Sequence, residues 1–128
     1  MQSQCPHDFY IVDDSRPVRT RLAEFLAGVE GVRLVGESAS ASDAIDGILR
    51  TRPHVVFLDL HLVGRTGLDV LRAVRARHPE IVFVILTNSV DPQYRKACMD
   101  AGASYFLDKS RDIDRMHSVI AEIAAAPH

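Results

Sequence analysis

The chain has 128 residues, the length of one ordinary domain, and its 25% charged and 47% hydrophobic residues describe a soluble globular protein. With 15 Lys and Arg against 17 Asp and Glu the formal charge is −2, which lacks the basic footprint of a dedicated nucleic-acid binder. No apolar run approaches the ~20 residues that cross a bilayer, so neither nucleic acid nor membrane is expected as a direct partner. Cys5 and Cys98 are too few for a disulfide framework, and the stretch from Met1 to Asp8 lacks the apolar core of a secretory signal, so a cytoplasmic protein is expected. The six histidines are scattered, without the spacing of a zinc site.

Along the chain, short solid apolar runs alternate with helical patterns. Phe9-Tyr10-Ile11-Val12, Val55-Val56-Phe57-Leu58 and Ile81 to Leu86 are rich in β-branched and aromatic residues and read as strands buried on both faces. Val32 to Val35, bracketed by Gly31 and Gly36, and Tyr105-Phe106-Leu107 read as second and fifth strands nearer the edges. Between them, Val18, Leu22, Phe25, Leu26 and Val29 recur at helical spacing. A second helix follows the N-cap candidate Ser42 with Ala44, Ile45, Ile48 and Leu49, and a third follows Thr66 with Leu68, Leu71 and Val74. Tyr94, Ala97, Cys98 and Ala101 predict a fourth, stopped by Gly102; Ile113, Met116, Ile120 and Ile123 predict a fifth. Five strand–helix alternations imply an α/β fold: a doubly wound, five-stranded parallel sheet with helices on both faces. The flavodoxin-like order 2-1-3-4-5 sets strands 1 and 3 side by side at the switch point where ligands bind.

That order brings Asp13 and Asp14, which end the first strand, next to Asp59, which ends the third. Neighbouring strands lie ~4.8 Å apart, and carboxylates that close repel unless a cation sits among them. An oxygen-only donor set suits Mg2+. The same rim carries Thr87 at the end of the fourth strand and Asp108-Lys109 at the end of the fifth. A cation, a fixed ammonium and a hydroxyl are what a phosphoryl group needs around its oxygens, and Asp59 is the expected acceptor. Taken singly, each residue has a plainer reading: the carboxylates and Thr87 as helix caps, Lys109 as a solvated lysine. Their joint placement at successive strand ends favours the functional one. Cys98 reads as a packed thiol, and Arg72, Arg75 and Arg77 as a solvated face of the third helix.

These residues resemble the response regulator receiver family of two-component signalling. The resemblance runs from about Phe9 to Ala125 and rests on Ile-Val-Asp13-Asp14, Val-Phe-Leu-Asp59-Leu, Gly67, Ile-Leu-Thr87-Asn-Ser and Ala-Gly-Ala-Ser-Tyr-Phe-Leu-Asp-Lys109. It implies that Asp59 takes a phosphoryl group from a sensor histidine kinase or phosphotransfer protein. It further implies that Asp14 binds Mg2+ directly, Asp13 directly or through water, with the backbone carbonyl of His61 as a further ligand. Lys109 would pair with the phosphoryl group and Thr87 would move to meet it. By the same resemblance Phe106 falls on the family's aromatic switch position, with Tyr105 as a competitor for partner contact, and His61 and Ser89 would flank the path of the hydrolytic water. Two departures stand out: Ser110 replaces a proline that often forms a cis peptide after the lysine, so a trans bond is expected. In the loop after Asp59, Val63 of the Val63-Gly64 pair also stands where a proline is common in the family.

The expectation is therefore a single receiver domain over residues 1–128, core about 9–125, with no output domain. It would act as substrate and relay and not as a turnover enzyme on external substrates. Its readout would be an unknown downstream protein or a homodimer through the fourth helix, fifth strand and fifth helix. The alternative is an interaction or dimerisation module of the same fold that works without phosphorylation.

Overall fold

A computed structural model of the chain describes residues 7–62, 65–88, 91–110 and 113–125. Five strands, β1 (His7–Val12), β2 (Val32–Ser38), β3 (Val55–Leu58), β4 (Val82–Thr87) and β5 (Tyr105–Asp108), alternate with α1 (Arg16–Ala27), α2 (Ala41–Thr51), α3 (Gly67–Arg75), α4 (Pro92–Asp100) and α5 (Ile113–Ala125). The strands form one sheet in the order β2-β1-β3-β4-β5, every pair parallel. Each neighbouring side chain on a strand points to the opposite face, so one solid apolar run feeds two cores. Phe9, Ile11, Val55, Phe57 and Val84 pack against Leu22 and Leu26 of α1 and Met116, Ile120 and Ile123 of α5. Tyr10, Val12, Val56, Leu58, Phe83 and Ile85 meet Ile48 of α2, Leu71 and Val74 of α3 and Cys98 of α4 on the other face. Among the described residues no helix is long and apolar enough to cross a membrane.

Three local expectations change. The second strand does not stop at Gly36 but runs on to Ser38, with a register shift opposite Phe9 and Tyr10. The glycine marks a close approach instead of an end. The Tyr10 ring lies against Gly36 and Gly47, where a Cβ on either would overlap it, and its hydroxyl shares a 2.5 Å hydrogen bond with Ser38 Oγ. Tyr10→Phe leaves Ser38 without that partner and is expected to cost about 1–2 kcal/mol in urea denaturation. The cap of α2 is Ser40, not Ser42: Ser40 is extended and its Oγ accepts from the Asp43 N–H at 3.3 Å, whereas Ser42 already lies inside the helix. On α4 the apolar stripe shrinks to Cys98, flanked by half-buried Ala97, while Tyr94 stays 48% exposed. The short helix turns only one narrow edge to the sheet.

The arginine face is also more varied than expected. α3 ends at Arg75, so Arg77 lies beyond it, and Arg75 bends back to donate to the Pro79 carbonyl at 2.9 Å while lying across Gly102. Gly102, at φ +110, follows the α4 C-cap and closes the helix as its position predicted.

Candidate functional site

The site is assembled by the strand order. Val12 and Leu58 are paired in the β1–β3 register, so the residues after them, Asp13 and Asp59, leave the sheet together. Main-chain hydrogen bonds continue past the strand ends, from Asp59 N to Val12 O at 2.9 Å and from Asp13 N to Ser38 O at 3.1 Å. The helix that follows is capped by Ser15, whose Oγ accepts from Val18 N, so Asp13 and Asp14 are not its caps. Asp13 and Asp59 are buried and Asp14 is exposed, yet one carboxylate oxygen from each lies within 4.8 Å of the others. It is a cluster of hard oxygen donors.

Lys109 reaches this cluster from the far side of the sheet. Its N–H extends the β5 ladder to Thr87 O at 2.9 Å, and its side chain crosses the end of β4. Nζ lies 2.6 Å from Asp13 Oδ2 and 3.1 Å from Asp59 Oδ2, with the lysine side chain only 13% exposed. Burial works against the ammonium, but the hydrogen bonds and charges of Asp13 and Asp59 outweigh it and hold Lys109 above its ordinary pKa. Asp13 is also raised: burial is the largest cause and the Asp59 charge adds to it, against the hydrogen bonds from Lys109 and Ser15 N. One ammonium does not fully compensate the buried carboxylates, so the donor set and its charge fit a divalent cation. Asp13, Asp14 and Asp59 are the side chains that could hold it.

The loop after β3 is pinned close to Asp59. His61 N donates to Asp59 Oδ1 at 3.3 Å, His61 forms an isolated bridge with Thr66, and Gly67 N donates to Leu60 O at 2.8 Å. A Cβ on Gly67 would overlap the Asp59 carbonyl, which is why the start of α3 takes glycine there. Thr66 caps that helix with a reciprocal box to Asp69, as its position predicted. Thr87 is fully buried at the end of β4, in register with Asp108. No cis peptide occurs among the described residues, so Lys109-Ser110 is trans as expected. Ser110 bonds Asp108 Oδ1 through both its N–H, at 2.8 Å, and its Oγ, at 2.6 Å, which closes a tight turn after β5.

Phe106 and Tyr105 face opposite sides of the sheet as alternation requires. Phe106 packs half-buried on the α4 side with the Arg95 guanidinium 6.0 Å from its ring centre. Tyr105 lies on the α5 side, its hydroxyl donating to Glu122 Oε1 at 2.8 Å, and burial together with Glu122 pushes that phenol up. Cys98 is wholly buried and its thiol is raised by burial against the opposing charge of Arg72, which suits a packed thiol. Ser89 and the Val63-Gly64 pair lie outside the described residues.

The profile of the response regulator receiver domain matches residues 9–121. The chain belongs to this family. The receiver is 29% identical over 115 residues to the response regulator GacA of Pseudomonas aeruginosa, covering 90% of this chain and 54% of that protein. It is 28% identical over 116 residues to the DNA-binding transcriptional activator EvgA of Escherichia coli K12, covering 91% and 55%. The receiver thus spans about half the length of these relatives. Among solved structures, a two-component response regulator of the LuxR family from Aurantimonas sp. SI85-9A1 superposes with a TM-score of 0.86 at 28% identity, over 94% of this chain and 86% of that one. The response regulator domain of Thermotoga maritima CheB shares the fold alone, with a TM-score of 0.84 at 14% identity over 96% and 99%.

Proposed function

We propose that this receiver accepts a phosphoryl group on Asp59 from the phosphohistidine of a sensor histidine kinase or phosphotransfer protein, in a Mg2+-dependent step, within the cytoplasm. The observation that carries this reading is the Lys109 ammonium shared between Asp13 and Asp59 beside the exposed carboxylate of Asp14. An Asp59 oxygen attacks phosphorus, the P–N bond breaks, and its electron pair leaves with the imidazole nitrogen. Hydrolysis returns Asp59 as carboxylate: water attacks phosphorus, the acyl-phosphate P–O bond breaks, and inorganic phosphate departs. Asp13, Asp14, Asp59 and the His61 carbonyl would hold Mg2+, which supplies positive charge to the phosphoryl oxygens when bound. Lys109 meets another of those oxygens and Thr87 donates its hydroxyl, which draws the ends of β4 and β5 inward. That movement biases Phe106 and Tyr105 and so the α4–β5–α5 surface, where a downstream protein or a second copy would bind.

DNA binding is a property named for the longer relative EvgA. The near-balanced charge of this chain supports a receiver that makes no nucleic-acid contact itself. The receiver is a substrate and relay that discharges its own acyl phosphate. Incubation with acetyl phosphate and MgCl2 is expected to add one phosphoryl group by intact-mass analysis, and EDTA to prevent it. A chain left unmodified under both conditions, with partner binding unchanged, would instead be an interaction module that works without phosphorylation.

A further inference from the structure

Arg19 is not used by the reaction above, yet its side chain, 15% exposed, turns from α1 toward the acidic cluster. Its Nη1 donates to the main-chain carbonyl of Asp13 at 2.7 Å and its Nε to Glu37 Oε1 at 2.9 Å. Glu37 precedes Ser38, whose carbonyl accepts the Asp13 N–H at 3.1 Å. The main chain of Asp13 is therefore held at both ends by the edge strand β2, directly through Ser38 and indirectly through Glu37 and Arg19. Because the peptide unit is planar, fixing the Asp13 carbonyl fixes the Asp13–Asp14 plane and the point from which the Asp14 side chain departs.

From this geometry we infer that the Arg19–Glu37 pair is a positioning device for the acidic cluster: it sets the Asp13–Asp14 peptide so that both carboxylates can meet one divalent cation. The guanidinium fork serves two acceptors in fixed directions at once, which a lysine ammonium on a flexible stem does not. Glu37 gives the fork its orientation through a charge-assisted bond. The inference rests on the reading of Asp13, Asp14 and Asp59 as the metal-binding carboxylates.

The test is calorimetric titration of Mg2+ into the full chain without phosphodonor, with thermal midpoints recorded so that only folded variants are compared. Arg19→Gln, Arg19→Lys and Glu37→Ala are expected to weaken Mg2+ binding about 10-fold, the loss typical of removing a group that orients a metal ligand. Glu37→Gln keeps an oxygen acceptor for Nε and is expected to stay within about 2-fold of the parent. The Arg19→Gln/Glu37→Ala double variant should be no weaker than Arg19→Gln alone, since the two residues act in series. In acetyl phosphate labelling, the variants should raise the half-saturating Mg2+ concentration more than they lower the rate at saturating Mg2+. A parent that binds no Mg2+ removes the metal site itself, and is seen before any variant is compared. A parent that binds Mg2+ while folded Arg19→Lys and Arg19→Gln bind equally well, or losses that add in the double variant, overturn the positioning role.

Discussion

In Asp59→Asn the phosphoryl increment from acetyl phosphate is expected to fall below detection, while the protein remains folded. The expectation follows from how the buried carboxylates are held. Both oxygens of Asp13 are occupied at short range, Oδ1 by Ser15 N at 2.9 Å and Oδ2 by Lys109 Nζ at 2.6 Å. Asp59 is held more loosely, with His61 N at 3.3 Å from Oδ1 and Lys109 Nζ at 3.1 Å from Oδ2. An oxygen with weak partners keeps its lone pairs for attack, and Asp59 also stands between Asp13 and the lysine-bearing side of the sheet. Asn at that position preserves shape and removes the carboxylate proposed to attack. Asp13→Asn is the matched control: it should slow labelling and raise the Mg2+ requirement without moving the modified residue, which peptide mapping after borohydride trapping would locate. Labelling that persists in Asp59→Asn, or that maps to Asp13, would falsify the assignment.

Lys109→Met is expected to destabilise the metal-free protein by about 3 kcal/mol near neutral pH, because removing one partner of a buried ionic cluster leaves uncompensated charge. For a domain of this length that corresponds to about 10 °C in thermal midpoint. The pH dependence has a definite sign. Lys109 sits above its ordinary value of 10.5, so its contribution is fully present below that value and is lost as pH rises through its folded pKa. Asp13 sits above its ordinary 3.8, so the folded state binds its proton more tightly; that contribution is present below 3.8 and is lost as pH rises through the folded value. The Lys109→Met penalty should therefore shrink in acid as the carboxylates take up protons. Asp13→Asn should go the opposite way and raise the metal-free midpoint at pH 7, with the gain disappearing in acid. Mg2+ should recover much of the Lys109→Met loss and erase the Asp13→Asn gain. Circular dichroism melts across pH, with EDTA or MgCl2, check each sign; a Lys109→Met protein as stable as its parent in EDTA would contradict the charge account.

Much of the architecture was readable because burial on both faces of a parallel sheet demands unbroken apolar runs, and β1, β3 and β4 carry them. The polar residue that ends each run is then exposed as a candidate, which is how Asp13, Asp59 and Thr87 could be picked out. Where a strand lies at an edge the signal weakens. β2 continues through Gly36 because the Tyr10 ring needs the space, and that requirement comes from the neighbouring strand and from α2. Ser40 and Ser42 are equally good caps by composition, and only the extended backbone at Ser40 decides between them. Tyr94 fits a helical stripe by spacing but stays exposed because α4 meets the sheet through little more than Cys98.

The order of residue types along the chain, by itself, determined that a parallel α/β sheet would form and that Asp13, Asp14, Asp59, Thr87 and Lys109 would gather at its carboxyl rim, since a hydrophobic period and a strand end are local properties. The tertiary structure alone decided which oxygen Lys109 takes, how loosely Asp59 is held, and that Arg19, one cation among several on an amphipathic helix, grips the Asp13 carbonyl and Glu37. Those contacts join residues distant in sequence, and their lengths follow from how helix and sheet pack, a quantity that no local pattern contains.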